Sequence, residues 1–385
     1  MTDLARLGLV APDYDGLGLG AVLPACADAL GVRMSVTGID GGTRRGQLGL
    51  PRSERICVVL VDGLGHQMLT ERGGHAPFLR DLLSSARVLT AGFPSTTAAS
   101  MGLFGTGCAP GQTALVGYTA RNPATGALVN LVSWDGLEPG ERWQREPRLL
   151  HELVDEGVTV TATGPSRFAR SGLTEAALRG GTYIRAETLP ARVDAAVRAL
   201  RSPGLVYLYW GEADKIGHHH GWGSVPWGEA LATIDAELAR LRHDLPAGTL
   251  LVITADHGMV DVDPNLHRDV ATSPALGAGV ELVAGEPRAM HVHCSEGEAA
   301  AVARRWTDEL GDDAVVLSRQ EAIAAGLFGP VAEHVRPIIG DVVVAMTGAA
   351  AVVDSRTQTS SSRGLIGLHG SLTPGEMYVP LLVAG

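Results

Sequence analysis

Four well-separated segments of the chain each end an apolar run with a carboxylate or an imidazole. ICVVLV is followed by Asp62, LVYLYW by Asp214 and His218, TLLVITA by Asp256 and His257, and GLHGS places His369 just before the last apolar run. Singly, such residues have ordinary explanations: a carboxylate after a strand is often a helix N-cap, and a lone histidine is more often structural than a ligand. Together, three carboxylates and three imidazoles make the oxygen and nitrogen donor set that suits zinc and its first-row neighbours. Asp214 and His218 are four apart, so on a helical turn they face the same way and can grip one ion. A fifth segment, FPSTTAASMGLFGTG, puts Thr96 and Thr97 at the start of a small-residue helix, where free amides and the dipole favour an anion. A hydroxyl placed there either caps the helix or serves as a nucleophile activated by a metal, and the local sequence alone favours the cap.

These residues need elements that bring them together. ICVVLV (56–61), VTVTAT (158–163), LVYLYW (205–210) and TLLVITA (249–255) read as strands buried on both faces, and helical spacing precedes several of them, as in PRLLHELVDEG and LPARVDAAVRALRS. Strands alternating with amphipathic helices predict an α/β fold with a mostly parallel sheet covered on both sides. In such sheets ligands gather at the carboxyl ends of the strands, where all of the residues above fall. After about residue 266 the segments shorten to VELVAG, AMHVHC, DAVVLS and DVVVAM, with one helix at EGEAAAVARRWTDELG. The expected organisation is a catalytic α/β core formed by 1–266 plus 366–385, with 267–365 as an inserted α+β cap.

Composition narrows the function. The 385 residues carry 31 basic against 42 acidic side chains, a net charge of −11, which disfavours a nucleic acid polymer as partner. Cys26, Cys57, Cys108 and Cys294 are scattered with no CxxC pair, so they predict free thiols and not a zinc knuckle or a disulfide framework. The acidic amino terminus lacks the basic start of a signal peptide, and no apolar run approaches a membrane span. A cytoplasmic location with no membrane partner is the expectation, and the oligomeric state is open. WGEADKIGHHHGWGSVPWG gathers three of the six tryptophans with His219 and His220, which either shape a ligand pocket or pack the loop.

The ordered set VDG, PSTTA, D-x-x-x-H, ADHG and GLHG resembles the alkaline phosphatase superfamily, and within it the type I phosphodiesterase/nucleotide pyrophosphatase family, from about residue 56 to the carboxyl terminus. The resemblance implies an alkaline-phosphatase-like three-layer sandwich and two bound divalent ions, Zn2+ in the first instance, with Mn2+ or Fe as alternatives. It assigns Asp214, His218 and His369 to one ion and Asp62, Asp256 and His257 to the other. Thr97 falls at the nucleophile position, bridging toward the second ion, with Thr96 the runner-up. Attack by Thr97 on phosphorus would give a phospho-threonine intermediate, which water then releases. Two cations about 4 Å apart would lower the pKa of the hydroxyl and stabilise the leaving oxygen, so His257 and His369 act as neutral ligands and not as acid–base catalysts. Many relatives place an asparagine after the nucleophile to donate to a phosphate oxygen. Here that position is Tyr118, with Asn122 as the other possible donor. The absence of a sulfatase signature and of an arginine beside Thr97 tilts the expected substrate toward small phosphodiesters, such as those of nucleotide type. A phosphomonoesterase or phosphonate hydrolase of the same superfamily, and a noncatalytic binding protein on the same fold, are the alternatives.

Overall fold

The computed structural model describes residues 4–385; the first three residues of the acidic amino terminus lie outside the described residues. The four apolar runs form the strands Arg55–Val61, Val160–Gly164, Gly204–Trp210 and Leu250–Thr254. They lie in a seven-stranded sheet, in the order Arg87–Thr90, Tyr378–Ala384, Leu250–Thr254, Arg55–Val61, Gly204–Trp210, Val160–Gly164, Thr182–Arg185. Tyr378–Ala384 runs antiparallel to both its neighbours, while the five strands from Leu250–Thr254 to Thr182–Arg185 are mutually parallel. Apolar side chains fill both faces of the central strands, as continuous β-branched runs require. The helices Leu149–Asp155, Leu189–Ala199 and Val225–Asp244 supply part of the covering layers.

Register sets the site. Val61 pairs with Trp210 and Leu60 with Thr254, so the strands end level, and the next residues of all three enter one edge of the sheet. The two outer strands Arg87–Thr90 and Thr182–Arg185 are too short and too polar to read from sequence.

A second, antiparallel sheet has the order Ala314–Ser318, Val342–Met346, Ala289–Cys294, Val280–Glu286, Thr119–Arg121, Leu128–Asn130. Its first four strands come from the inserted segment, as the short alternating runs predict. The last two belong to a hairpin far upstream, joined through the pairing of Gly285 with Thr119. Conversely, Leu327, Phe328, Val335, Ile338 and Ile339 lie inside 267–365 yet pack into the principal core, where the Phe328 ring sits 5.5 Å from that of Phe93. The 267–365 segment is therefore not a self-contained unit. A distinct core under the second sheet, built on Val292, Trp306, Val342 and Val344, explains why the helix Ala299–Leu310 folds against it.

Candidate metal centre

At the carboxyl edge of the main sheet, Asp62 and Asp256 emerge directly from adjacent strands, and both are buried. The turn after Asp62 needs Gly63. Its φ is +71°, and a Cβ there would come within 2.9 Å of Asp214, while its amide donates to Asp256 Oδ1 at 3.1 Å. Asp214 lies in the first turn of the helix Glu212–His220 and His218 one turn later, on one face as the spacing requires. His218 Nε2 and His369 Nε2 approach Asp214 Oδ1 at 3.3 and 3.6 Å. His257 Nε2 stands 3.5 Å from both Asp62 Oδ1 and Asp256 Oδ2, and its ring stacks on that of His369 at 3.7 Å.

The late motif reaches this edge through a zipper of hydrogen bonds. Ser95 N donates to Gly370 O at 2.9 Å, Ser95 Oγ donates to Ser371 O at 2.6 Å, and His369 Nδ1 donates to Ser95 O at 3.0 Å. The same contacts fix the turn that opens the helix Thr97–Thr106. Thr96 is its N-cap residue but makes no side-chain cap bond, and the Thr97 hydroxyl instead lies 3.3 Å from His257 Nε2. The helix is small-sided because it is packed closely: a Cβ on Gly105 would fall 2.0 Å from Ala177 O.

The donor chemistry fits cations. Each histidine directs Nδ1 at a backbone carbonyl: His218 at Gly367 O (2.7 Å), His257 at Gly258 O (3.0 Å) and His369 at Ser95 O. A carbonyl only accepts, so Nδ1 carries the hydrogen and Nε2 presents a lone pair to the centre. Asp62 Oδ1, Asp214 Oδ1 and Asp256 Oδ2 are buried with no hydrogen-bond partner. Two groups of these residues have ligand atoms close enough to share an ion, Asp62 with Asp256 and His257, and Asp214 with His257 and His369. His257 belongs to both groups, whereas the resemblance gives it to one, and His218 stands at the outer side of Asp214.

Electrostatics agree. Burial, followed by the charges of Asp256 and Asp214, holds the Asp62 carboxyl well above its usual range, and burial also raises Asp256. Burial opposes the ionisation of Asp214 too, but in the metal-free site a proton on His218, whose pKa Asp214 raises in turn, outweighs it and holds the Asp214 carboxyl below its usual range. Burial, reinforced by His257, pushes His369 well below the imidazole range, so it stays neutral. A site with three crowded carboxylates and inward lone pairs is the environment a pair of divalent cations neutralises.

Tyr118 stands 46% exposed at the mouth of the site, where two cavities meet. Asn122 is not brought to the centre. Its Oδ1 accepts from Ala124 N at 2.9 Å in the turn of the hairpin between Thr119–Arg121 and Leu128–Asn130, and it lines neither cavity. The tryptophan-rich loop divides its work. Trp227 is buried and donates to Ala213 O, Trp210 lines a cavity, and His219 and His220 are exposed. Tyr209, unremarkable as a strand residue, donates its phenol to Asp62 Oδ2 at 2.5 Å. Arg192 spends its guanidinium on the carbonyls of Ala186, Tyr209 and Glu187, with the Trp210 ring 4.6 Å away. All four cysteines are free and buried, as expected. No described helix is long and apolar enough to cross a membrane.

Known structures share this architecture. Murine ectonucleotide pyrophosphatase/phosphodiesterase 5, an inactive variant in complex with AMP, superposes with a TM-score of 0.68 over 86% of this chain and 88% of its own, at 16% identity. Phosphonoacetate hydrolase from Sinorhizobium meliloti 1021, in complex with phosphonoformate, gives 0.67 over 91% and 93%, at 19% identity. Both establish an alkaline-phosphatase-type fold. Among curated sequences, phosphopentomutase of Rhizobium leguminosarum bv. trifolii is 32% identical over 116 residues, 29% of this chain and only 27% of that protein. The phosphopentomutase of Anaeromyxobacter dehalogenans is 28% identical over 141 residues, 34% of each. These matches span about a third or less of the relatives' length. The model of type I phosphodiesterase/nucleotide pyrophosphatase, by contrast, matches residues 56–372, a span that takes in every residue gathered at the sheet edge, and the chain belongs to that family.

Proposed function

We propose that the protein hydrolyses small phosphodiesters or pyrophosphates, with Thr97 as nucleophile and two divalent ions, Zn2+ in the first instance, held by Asp62, Asp214, His218, Asp256, His257 and His369. The carrying observation is the approach of the Thr97 hydroxyl to His257 Nε2 beside three buried carboxylate oxygens without partners. Bound cations would neutralise phosphate charge and lower the pKa of the hydroxyl. Thr97 Oγ1, its proton released to water, would form a bond to phosphorus as the bond to the leaving oxygen breaks, and that oxygen would take up a proton from water. Water then cleaves the phospho-threonine, restoring the hydroxyl and releasing a phosphomonoester. Thr97 is half-buried, reachable from the cavity yet fixed at the helix start. The three imidazoles hold their Nδ1 protons on carbonyls, which suits ligands and not proton carriers. Tyr118, which lines both cavities, would donate its phenol to a nonbridging oxygen. Buried free thiols are compatible with the cytoplasm as the compartment.

Of the two arginines lining the cavity that reaches Thr97, Arg192 is engaged by backbone carbonyls and Arg167 lies over the Phe168 ring, 4.7 Å away, which favours a monoanionic diester over a dianionic monoester. Metal-reconstituted protein should therefore turn over bis(p-nitrophenyl) phosphate faster than p-nitrophenyl phosphate. A clear preference for the monoester would overturn the diester assignment. The phosphonate hydrolase reading draws on the similar fold of phosphonoacetate hydrolase, and phosphonoacetate as a third substrate in the same assay tests it.

A further inference from the structure

The second, accessory sheet reaches the mouth of the site through one buried carboxyl. Glu286 ends the strand Val280–Glu286, and its Oε2 accepts from Tyr118 N at 2.8 Å, across 168 positions of chain, while Oε1 is buried without a partner. Burial pushes this carboxyl up to about 8, against the smaller opposing effects of the Tyr118 amide and the Thr96 hydroxyl, so it holds its proton at neutral pH. A Cβ on Gly370, the residue after His369, would fall 2.5 Å from Glu286 Cγ, so the stem of the side chain lies against the loop that delivers His369. Thr96, Tyr118, Glu286 and His369 all line one cavity of about 550 Å³.

The ladder beside Tyr118 is too short to hold it. The hairpin strand Thr119–Arg121 joins Val280–Glu286 through a single residue pair, Gly285 with Thr119, reinforced where Thr119 Oγ1 donates to Gly285 O at 2.8 Å. Tyr118 lies one residue before that pair, and its carbonyl accepts from Leu131 N at 2.9 Å. The Glu286 side chain takes the amide that a longer ladder would have paired. Burying a carboxyl with one unpartnered oxygen is costly, and what it secures is the backbone that carries the Tyr118 phenol. Resting on the phosphate contact given above to that phenol, we propose that Glu286 is a positioning residue for the reaction: it fixes the Tyr118 backbone, and so aims the phenol at the nonbridging oxygen. It acts through Tyr118 and not on phosphorus. A donor to developing charge depends steeply on geometry, so a small displacement of this loop costs rate.

The experiment compares metal-reconstituted wild type, Glu286→Met, Glu286→Gln, Tyr118→Phe and the double variant of Glu286→Met and Tyr118→Phe on bis(p-nitrophenyl) phosphate, with metal content and Tm measured for each. Methionine fills similar space without an oxygen acceptor, whereas glutamine keeps an acceptor for Tyr118 N. Tyr118→Phe should lower kcat on the order of 10²-fold, and Glu286→Met about tenfold with KM changed less than about threefold. Glu286→Gln should restore kcat to within about threefold of wild type. The double variant should fall to the Tyr118→Phe level and no further, because one donor cannot be lost twice. Glu286→Ala takes the place of Glu286→Met in the same cycle if the methionine protein does not fold and load metal. Wild-type kcat without the acceptor, losses that multiply in the double variant, or a Glu286→Gln protein as slow as Glu286→Met would each overturn the proposal while the Tyr118 contact stands. A Tyr118→Phe protein with wild-type kcat overturns that contact itself, and with it the inference.

Discussion

The Thr97 hydroxyl lies 3.3 Å from Nε2 of His257, a residue 160 positions later in the chain whose other ring nitrogen is committed to the carbonyl of Gly258. Because Nε2 bears a lone pair, the Thr97 hydroxyl is oriented by the same nitrogen that faces Asp62 and Asp256. Replacing Thr97 by Ala removes the bond-forming oxygen, and kcat should fall on the order of 10³-fold or more. Thr96→Ala should cost far less, because the Thr96 side chain makes no cap bond at this helix start. Rapid acid quench with a phosphorus-labelled diester checks both: label should stay on wild type and be missing from the Thr97→Ala protein. Comparable rates in the two variants would return the nucleophile assignment to Thr96.

Removing metal should leave a pH signature in stability. Burial, then neighbouring carboxylates, raise the Asp62 carboxyl, and burial raises Asp256, so in the metal-free fold they hold protons that the unfolded chain, with carboxyls near 3.9, has released. The folded state then binds more protons, and stability falls as pH rises. The opposing groups act lower: Asp214, with its depressed pKa, only below about pH 4, and His369, held neutral, only below about pH 6.5. Glu286, pushed up to about 8 by burial, adds the same downward slope with and without metal. Chelated protein should therefore lose Tm more steeply than metal-loaded protein as pH rises above about 6.5, where the opposing groups no longer act. Parallel Tm curves in differential scanning calorimetry would contradict the crowded-carboxylate picture.

Tyr209 gives a test of how the ligands are held. Its phenol donates to Asp62 Oδ2 at 2.5 Å, leaving Oδ1 directed at His257. Tyr209→Phe keeps the ring packed on Phe168, 5.8 Å away, and removes only the hydrogen bond. Such outer partners are worth on the order of 10- to 100-fold in metal affinity, so a competitive chelator titration should show a loss in that range. An unchanged affinity would mean that Asp62 is positioned by its backbone alone.

The sequence carried the centre better than its surroundings, for a physical reason. Asp62, Asp256 and Asp214 follow long buried strands, whose continuous apolar runs are unmistakable and whose ends define a ligand edge. Strands of three residues such as Thr119–Arg121 hold too few positions to show a period, so the hairpin that completes the second sheet was not legible, nor was the entanglement of 267–365 with the main core. Spacing along the chain also says nothing about a hairpin turn such as the one in which Asn122 Oδ1 accepts from Ala124 N. Tyr209 and Glu286 were invisible because each reads as an ordinary strand residue until the partner strand or sheet is known.

A buried ion pair ties the second sheet to the helix Pro374–Met377 beside the candidate metal centre, which sets the last prediction. Arg288 Nη2 lies 2.7 Å from Glu376 Oε2, and both side chains are fully buried. Glu376 Oε1 also accepts from Ser371 N at 2.9 Å, two residues after His369, and the Glu376 carbonyl accepts from Gly258 N at 2.8 Å, next to His257. Arg288 further donates to Ala350 O at 2.6 Å. Arg288→Met strands a buried carboxylate and should cost about 3–5 kcal/mol in urea unfolding of the metal-loaded protein. Adding Glu376→Gln removes the uncompensated charge and should recover part of that loss, because replacing both partners of a buried pair is far milder than removing one. If the double variant is no more stable than Arg288→Met, the pair acts as separate hydrogen-bonding anchors and not as a charge-matched joint between the accessory sheet and the two histidine loops.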